Sequence, residues 1–369
     1  MKVALMGRSL RGRFSGVVRY TDQLVRALSS TLGRDLTVFL TRADDGLGDV
    51  PISRIRAPFP TPNEYFRAFW EQTVVPMEVA RLRPDVYHSP NYILPLALGC
   101  PTVVTIHDMF YRDGSLHRLR SHLYLQFLAG RAINSATRII CVSRYTRDRL
   151  AAQYPAAAPR LRVVGEGVDA SFTQQSSASV AAVRRRFGLE KPFVLFVGTI
   201  EPRKNLARLI EAYEQAVRRS GAPHELVVAG TWGWKTGAVG AALEASSVKD
   251  RIRLVGYVPE TDLPAMYAAA DVFAYPSLAE GFGLPPLEAM ACGTPVLTSN
   301  AGALPEVVAD AAVTVDPLDV DAMARALEHL LCDPEERRRR SEAGLRRAAR
   351  FSWETVARET VDVYAEAIA

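Results

Sequence analysis

The sequence predicts an α/β protein built on parallel sheets with helices on both faces. Short apolar runs such as residues 193–198 (FVLFVG) and 225–230 (ELVVAG) alternate with longer helical patterns along the chain. This alternation is typical of βαβ units, which form parallel sheets. The two quoted runs are apolar without interruption, as expected for strands that are buried on both faces.

The length of the chain predicts two domains, because 369 residues exceed what one hydrophobic core normally serves. The strand and helix patterns stop at residues 171–186, which are rich in Ser and Gln and have no strand character. We therefore predict domains over residues 1–170 and 171–351, with the closing helix 352–369 packing back on the first. Ligands of parallel sheets bind beyond the carboxyl ends of the strands, so we expect two domains facing a central cleft.

The individual elements follow from the same patterns, taken in chain order. Strands are predicted in the first domain at KVALM, LTVFL, VYHS, TVVTI, RIICVS and LRVVGEG. Strands are predicted in the second at FVLFVGT, ELVVAG, IRLVG, DVFAYPS, PVLTS and AVTVDP. Helices are predicted at GVVRYTDQLVRALSSTL, NLARLIEAYEQAVRRS, TDLPAMYAAA, PLEAMACG, LDVDAMARALEHLLC and SWETVARETVDVYAEAI.

The composition is that of a soluble globular protein, with 48% hydrophobic and 23% charged residues. No apolar stretch reaches the roughly 20 residues of a membrane-spanning helix, and the opening residues do not resemble an export signal. The four cysteines lie far apart, which predicts small buried side chains of a reducing compartment instead of disulfides or metal ligands. We expect a cytoplasmic location.

The charge is distributed unevenly along the chain. Residues 1–170 contain 23 Lys and Arg against 14 Asp and Glu, a net charge of +9, whereas residues 171–369 have 22 against 26, or −4. A basic first domain suits an anionic partner such as a phosphate, a membrane surface or a nucleic acid. Solvated arginines without a partner are the alternative.

Two strand-to-helix turns carry features of anion-binding sites. Gly16 opens the first predicted helix, where free N–H groups and the positive end of the helix dipole can meet an anion; a plain βα turn is the alternative. In residues 198–213 (GTIEPRKNLARLIEAY), Arg203 and Lys204 precede the predicted N-cap Asn205. Adjacent cations at the end of a parallel strand suit a diphosphate, and a surface salt bridge with Glu201 is the alternative.

Residues 280–288 (EGFGLPPLE) place two carboxylates around a glycine-rich turn. The turn follows an apolar strand and leads into a helix whose first turn tolerates the two prolines. The glycines let backbone amides approach a ligand oxygen. Attraction to the positive end of the helix dipole could explain one carboxylate, but it does not explain the glycines.

His107 ends the apolar strand of residues 102–106 in the first domain. A histidine at the carboxyl end of a strand is well placed for a ligand, and a purely structural role is the alternative.

Taken together, these motifs resemble the retaining glycosyltransferases of family four, whose two Rossmann-like domains form the GT-B fold. The resemblance covers nearly the whole chain and is most specific in DVFAYPSLAEGFGLPPLEAMACGTPV. GTIEPRKN is similar to the branch of bacterial polysaccharide mannosyltransferases and rhamnosyltransferases. The resemblance implies an enzyme with a nucleoside-diphosphate sugar as donor and no metal or other cofactor.

The resemblance also implies roles for individual positions. Glu280 corresponds to the glutamate that contacts the transferred sugar, and Glu288 to the glutamate that holds the ribose hydroxyls. Both carboxylates are then expected to face hydroxyl groups instead of cations. Arg203 and Lys204 correspond to the basic pair that neutralises the leaving diphosphate.

Further positions contribute to the implied donor site. Gly16 corresponds to the phosphate-binding loop of the first domain and His107 to the histidine facing the donor sugar. Sugar hydroxyls and phosphate are expected at the amides around Phe282, Gly283 and Leu284, and the nucleobase beside Tyr257 and Val258.

Two positions depart from the family pattern. Ser15 precedes a single glycine where many relatives have two, and Thr199 stands where many have an arginine. The diphosphate is then expected to rely more heavily on Arg203 and Lys204. The acidic residues at 319–321 belong to a helix start and predict N-cap chemistry instead of a metal site.

The most specific expectation is transfer of mannose from GDP-mannose to a lipid-linked or polysaccharide acceptor in cell-surface glycan synthesis. The alternatives are a UDP-glucose-type donor, a sugar-nucleotide epimerase of the same fold, a nicotinamide dehydrogenase that lacks its fingerprint, and an exported sugar-binding protein. Residues 65–83 and 110–131 mix aromatic and basic side chains as interfacial segments do, which suggests peripheral binding to an anionic membrane. Ordinary packed helices explain these segments equally well. Nucleic acid is not expected as a partner.

Overall fold

The computed structural model describes residues 1–8, 10, 16–41, 46–59, 61, 64–109 and 119–369. The chain divides into two compact units, one formed by Met1–Gly167 with Ser352–Ala369 and the other by Val168–Phe351. The predicted boundary lies after residue 170, within the segment that opens the second unit.

The first unit contains a seven-stranded sheet whose described strand pairs are all parallel. Its strands are β1 (Val3–Met6), β2 (Leu36–Leu40), β3 (Ser53–Arg56), β4 (Val86–Ser89), β5 (Thr102–Ile106), β6 (Arg138–Cys141) and β7 (Leu161–Val163). They lie in the order β3-β2-β1-β4-β5-β6-β7. β1 pairs with both β2 and β4, with Val3 opposite Leu36 on one side and Val86 on the other. The order reverses between β1 and β4, which is where parallel sheets of this kind bind ligands.

The helices that cover the first sheet begin with α1 (Gly16–Leu32), α2 (Glu64–Leu82), α3 (Leu119–Ser135) and α4 (Arg144–Gln153). Tyr20, Leu24 and Leu28 of α1 are fully buried, as the predicted helical spacing requires. In α4, Ser143 is the N-cap and its hydroxyl accepts a hydrogen bond from the Thr146 amide at 3.0 Å.

The second unit has a six-stranded parallel sheet. Its strands are β8 (Phe193–Val197), β9 (Glu225–Ala229), β10 (Ile252–Gly256), β11 (Val272–Tyr275), β12 (Val296–Ser299) and β13 (Val313–Val315), in the order β10-β9-β8-β11-β12-β13. β8 and β11 are central, and Phe193, Leu195 and Phe273 are fully buried. The order reverses between β8 and β11, so the loops after these two strands leave the sheet side by side.

The helices of the second unit are α5 (Ser177–Phe187), α6 (Leu206–Ser220), α7 (Gly237–Ala245), α8 (Leu263–Ala268), α9 (Leu284–Ala291), α10 (Leu304–Val308), α11 (Val320–Cys332) and α12 (Pro334–Ala348). The last helix, α13 (Trp353–Ile368), belongs to the first unit. Its Tyr364 hydroxyl hydrogen bonds Nδ1 of His88 in β4 at 2.6 Å. Both groups are fully buried, so this bond fastens α13 to the first sheet.

All twelve predicted strands are present, and the structure also contains elements that the patterns did not predict, among them β3, α5 and α12. β3 (SRIR) is a half-buried edge strand whose arginines conceal the apolar signal. The Ser-rich segment predicted as irregular forms α5, with Ser176 at its N-cap and Gly188 at its C-cap. The basic run 334–348 forms α12, whose arginines pair with glutamates three or four residues away, as Arg340 does with Glu336 at 2.7 Å.

Two further expectations can be compared with the structure. Cys332, the last residue of α11, is exposed and Cys100 is partly buried, so the prediction that all four cysteines are buried is wrong. No helix in the described residues is both long and apolar enough to cross a membrane.

Candidate active site

The loops that follow β8 and β11 are joined by hydrogen bonds at the carboxyl edge of the second sheet. The Arg203 carbonyl accepts from the Leu278 amide at 2.8 Å and from the Ser277 hydroxyl at 3.0 Å. Residues 202–204 form one turn of 3₁₀ helix before α6. This geometry brings Arg203, Lys204 and Glu280 into contact.

The Glu280 carboxylate lies at the centre of the contacts between these loops. Its Oε1 accepts from Nζ of Lys204 at 2.7 Å, from the Tyr275 hydroxyl at 2.9 Å and from the Ser277 hydroxyl at 2.6 Å. Its Oε2 accepts from Nη1 of Arg203 at 2.6 Å. Glu280 is only 8% exposed, so these four donors replace the water that burial removes.

The electrostatics of the cluster keep Glu280 ionised. Burial alone would raise the pKa of Glu280, but the Lys204 and Arg203 cations and the hydrogen bonds outweigh it and lower the pKa to about 2. Burial alone would lower the pKa of Arg203, but its acidic neighbours raise it above the ordinary value. In the structure Glu280 contacts the Lys204 and Arg203 cations as well as the Tyr275 and Ser277 hydroxyls, because a buried carboxylate needs compensating charge. Its contact with the hydroxyls of a donor sugar stays a prediction.

Arg203 is held by a second carboxylate. Its Nε and Nη2 donate to Oε1 of Glu201 at 3.1 and 2.8 Å, and its Nη1 also donates to the Ala279 carbonyl at 3.0 Å. The alternative of a salt bridge with Glu201 is thus present in the structure, but the Glu201 side chain is only 4% exposed. Two cations and two carboxylates form one neutral cluster, which we call the Glu280 cluster: Glu201, Arg203, Lys204 and Glu280.

Glu288 lies close by in sequence but has a different environment. It projects from the second turn of α9 and is 2% exposed. Its Oε2 accepts a hydrogen bond from the Tyr267 hydroxyl at 3.0 Å. The two carboxylates of EGFGLPPLE therefore differ, since Glu280 contacts two cations and Glu288 contacts a phenol.

Two glycines are required by the backbone geometry around Glu280, one between the two glutamates and one in the segment before α10. Gly283 has a φ of 125°, and a Cβ there would lie 2.7 Å from Cδ2 of Leu304. Gly302 has a φ of 66°, and its Cβ would lie 2.6 Å from the Glu280 amide nitrogen. The Ala303 amide also donates to the Glu280 carbonyl at 3.0 Å. The segment before α10 thus supports the backbone of Glu280.

The other residues expected at the donor site of this unit vary in exposure. Phe282 and Leu284 are each 7% exposed, and the Phe282 ring packs edge to face on Phe351. Tyr257 is 58% exposed and follows β10, whereas the neighbouring Val258 is buried. These positions line the same edge of the sheet as the Glu280 cluster, because they follow parallel strands.

In the first unit, His107 and Gly16 follow β5 and β1. Nδ1 of His107 lies 3.2 Å from Oε1 of Glu166, and its Nε2 lies 3.0 Å from the Pro90 carbonyl oxygen. Gly16 is exposed and begins α1, and apart from its chain neighbours and its own helix no atom of the described residues lies within 4 Å of where a Cβ would stand. Arg11, Arg13 and Ser15 of the same loop lie outside the described residues.

Sequence reasoning missed most of the partners of the predicted residues. The sequence patterns place Tyr275 and Ser277 only at the end of a predicted strand. They give no sign that Tyr267, Glu166 or Gly302 belongs to the site. Asn205 does occupy the N-cap position of α6, but its side chain donates to the Pro276 and Pro317 carbonyls at 3.0 and 2.7 Å instead of capping the helix. Only the alternation of small and polar residues in YPS and SNAG hinted at tight loops there.

Acidic residues elsewhere behave as helix caps. Asp319 accepts from the Ala322 amide at 2.8 Å, which confirms the predicted N-cap of α11. Within the described part of the chain, no three His, Cys, Asp or Glu side chains are grouped closely enough to hold a metal ion.

Comparisons with known proteins give the family. A model described as Glycosyltransferase Family 4 matches residues 14–172, and one described as Glycosyl transferases group 1 matches residues 182–347. The O-antigen chain mannosyltransferase B of Escherichia coli is 35% identical over 281 residues, which cover 76% of this chain and 74% of that protein.

Two more comparisons agree with this assignment. The MMP alpha-(1->4)-mannosyltransferase of Mycolicibacterium hassiacum is 31% identical over 286 residues, 74% of this chain and 67% of that protein. The crystal structure of Anabaena Alr3699/HepE in complex with UDP and glucose superposes with a TM-score of 0.77 at 19% identity, covering 99% of both chains. The chain belongs to glycosyltransferase family 4 and has the GT-B fold of two parallel-sheet α/β domains.

Proposed function

We propose that this glycosyltransferase is a retaining, metal-independent enzyme that transfers mannose from GDP-mannose to a lipid-linked or polysaccharide acceptor in cell-surface glycan synthesis. The observation that carries the proposal is the Glu280 cluster, which fixes two cations at the switch point of the second sheet. Relatives named as mannosyltransferases support the choice of sugar. Retention of configuration is proposed from family membership.

The main catalytic demand is to stabilise negative charge on the departing diphosphate. Preorganised cations do this without reorganising during the reaction. The Lys204 ammonium has three N–H groups, and Glu280 and Tyr275 engage two of them within the described residues. The third is then oriented by those bonds and directed to a phosphate oxygen.

The two glutamates have separate roles in this proposal. Glu280 acts as the counter-ion that orients Lys204 and Arg203, and its carboxylate meets the transferred sugar when donor is bound. Glu288 accepts hydrogen bonds from the ribose hydroxyls, in addition to the hydrogen bond that it accepts from the Tyr267 hydroxyl. The amides at Phe282, Gly283 and Leu284 bind phosphate and sugar oxygens, and Gly283 leaves room for that approach.

The remaining proposed contacts surround the nucleotide and the sugar. Tyr257 and Val258 flank the nucleobase, and the exposed Tyr257 ring is available for stacking. Gly16 offers the N-terminal amides of α1 to phosphate, and His107 offers an N–H to the sugar. No metal or other cofactor is required in this scheme.

UDP-glucose remains the alternative donor, because a protein of the same fold binds UDP and glucose. The epimerase alternative is not favoured, since the relatives compared above are named as transferases.

We also propose that the first unit binds an anionic membrane surface near its acceptor. α2 exposes Phe66, Phe69 and Met77, and α3 exposes Phe127, with exposed fractions between 49% and 67%. Rings on a basic unit suit an interface of anionic headgroups and acyl chains. Residues 110–118 of the second interfacial segment lie outside the described residues.

The first test is a donor panel with GDP-mannose and UDP-glucose, each incubated with and without a lipid-linked glycan acceptor. We expect slow hydrolysis of GDP-mannose alone, faster turnover with acceptor, and an anomeric configuration in the product equal to that of the donor by NMR. An inverted product would contradict retention. Turnover of UDP-glucose but not of GDP-mannose would identify UDP-glucose as the donor. Accumulation of an epimer of either sugar nucleotide would identify the protein as an epimerase.

Replacement of Lys204 by alanine should reduce kcat by about 10²-fold or more, the effect of removing one preorganised donor to a developing oxyanion. Steady-state kinetics at saturating donor measure this change. Lys249→Ala is the matched control, because Lys249 is exposed and precedes β10 at the opposite edge of the sheet. Circular dichroism checks that the variant is folded, since Glu280 loses a compensating charge. A kcat within twofold of wild type in a folded variant would remove Lys204 from the mechanism.

Replacement of Glu288 by glutamine should weaken nucleotide binding about tenfold or more, because hydrogen bonds to a charged acceptor are lost. The Tyr267 hydroxyl can still donate to the amide oxygen, so we expect the fold to be kept. Titration calorimetry with GDP and UDP measures the affinity, and Glu244→Gln, at a highly exposed carboxylate, is the control. Wild-type affinity would show that Glu288 does not hold the ribose.

Binding to anionic vesicles at low salt should depend on the exposed rings. The double variant Phe69→Ser with Phe127→Ser should bind about tenfold more weakly for each ring removed from the acyl region. Leu318→Ser, at an exposed apolar residue of the second unit, should bind as wild type does. Sedimentation with phosphatidylglycerol vesicles measures this, and failure of the wild-type protein to bind would reject the membrane proposal.

A further inference from the structure

His107 has both ring nitrogens occupied by acceptors from its own unit. The side chain is only 11% exposed. Nε2 lies 3.0 Å from the Pro90 carbonyl oxygen, and Nδ1 lies 3.2 Å from a carboxylate oxygen of Glu166. Glu166 follows β7 and is 5% exposed, so bulk water can replace neither contact.

The number of protons in this arrangement is limited by the chemistry of the two partners. A carbonyl oxygen only accepts, so Nε2 must carry a hydrogen. A neutral imidazole would then direct the Nδ1 lone pair at the carboxylate, and the two would repel. A second proton is therefore required between Nδ1 and Glu166, and an imidazole holds a proton more strongly than a carboxylate does.

We propose that Glu166 is a positioning residue that keeps His107 as an imidazolium, with Nδ1–H bonded to the carboxylate and Nε2–H held as a fixed donor. Either the Pro90 carbonyl or a ligand oxygen can accept from Nε2–H, so the charged form suits the free and the occupied site. The effect on turnover rests on the proposed function, whereas the protonation of His107 does not.

Of the neighbouring histidines His88 and His107, only His107 is expected to be protonated near neutral pH. Burial lowers the pKa of His107, but the hydrogen bond and charge of Glu166, with Pro90 and Asp108, raise it above the ordinary value. His88 lies on the neighbouring strand β4, and burial and His107 lower its pKa to about 3. The Tyr20 ring packs edge to face on His107 with centroids 4.6 Å apart.

His88 is neutral for a structural reason as well. Its ring nitrogens bond the Tyr364 hydroxyl at 2.6 Å and the Thr105 hydroxyl at 2.9 Å. Hydroxyls can both donate and accept, so they satisfy one protonated and one bare nitrogen. Within the described residues, the ring nitrogens of His107 contact a carboxylate and a carbonyl instead of hydroxyls, which is why the two histidines on the adjacent strands β4 and β5 are expected to differ in charge.

The imidazolium lies at the edge of the sheet where a ligand can contact it. β1, β4 and β5 are neighbours in the sheet, so His107 shares the carboxyl edge with the start of α1. The positive end of that helix and the imidazolium add at this edge. A donor sugar or its phosphate would then meet a fixed positive charge from the first unit.

The test is a histidine titration by NMR on the full chain labelled at histidine Cε1. The chain has six histidines, and His107→Asn identifies the signal of His107. We expect His107 to titrate above the usual pH range of histidine and to fall by about one pH unit or more in Glu166→Gln, the size typical of a lost ion pair. In that variant the amide can donate to a bare Nδ1, so a neutral His107 is accommodated.

Two variants control the experiment. Glu166→Asp keeps the carboxylate and should restore part of the shift, and it serves if the glutamine variant does not fold. Glu366→Gln removes an exposed carboxylate of the same unit, which pairs with Arg162, and should leave the His107 titration unchanged. Titration of wild-type His107 at or below its usual range would overturn the proposal, as would an unchanged value in Glu166→Gln.

Turnover gives a second readout. If the imidazolium serves the reaction, kcat/KM should fall as pH rises through the pKa of His107, and Glu166→Gln should move that fall to lower pH by the same amount as the NMR shift. A purely structural Glu166 would lower activity without moving the profile. If no sugar nucleotide is turned over, the proposed function fails while the NMR titration still decides the state of His107.

Discussion

The ion pair between the Glu280 carboxylate and the cations of Arg203 and Lys204 is the constraint on which the second unit depends. Neither the acid nor the bases could be buried alone, because an unpaired buried charge is strongly destabilising. They can be buried together because β8 and β11 are neighbours and their loops leave the same edge. The cluster in turn fixes both loops, so the strand order and the site geometry depend on each other.

The first unit solves a similar problem with fewer charges. Two polar side chains of the central strands, His88 in β4 and Thr105 in β5, hydrogen bond each other. The Tyr364 hydroxyl of α13 contacts His88, and the Tyr20 hydroxyl of α1 contacts Thr105. These groups form a chain of neutral hydrogen bonds that includes α13, and His107 beside it carries the charge. The closing helix therefore contributes to the support of this edge through Tyr364, although it is distant in sequence from every strand it contacts.

The sequence predicted the described strands except β3, the six helices α1, α6, α8, α9, α11 and α13, and the turn of EGFGLPPLE, since these depend on local spacing and on glycine and proline chemistry. It could not predict the partners of Glu280. Arg203 and Glu280 are 77 residues apart, and only the reversal of strand order between β8 and β11 brings them together. Glu166 was not predicted because it is 59 residues from His107, and only the folding of β5, β6 and β7 into one sheet brings the two side chains together. β3 was missed because its arginines mask a half-buried edge strand.

The two charged sites differ in how they respond to pH, and this difference follows from their partners. Glu280 has four donors and a pKa of about 2, so its carboxylate stays ionised throughout the neutral range. His107 has one carboxylate partner, and the ordinary pKa of its imidazole lies near neutrality. A change of pH around neutrality therefore acts on His107 in the first unit and leaves the Glu280 carboxylate of the second unit ionised.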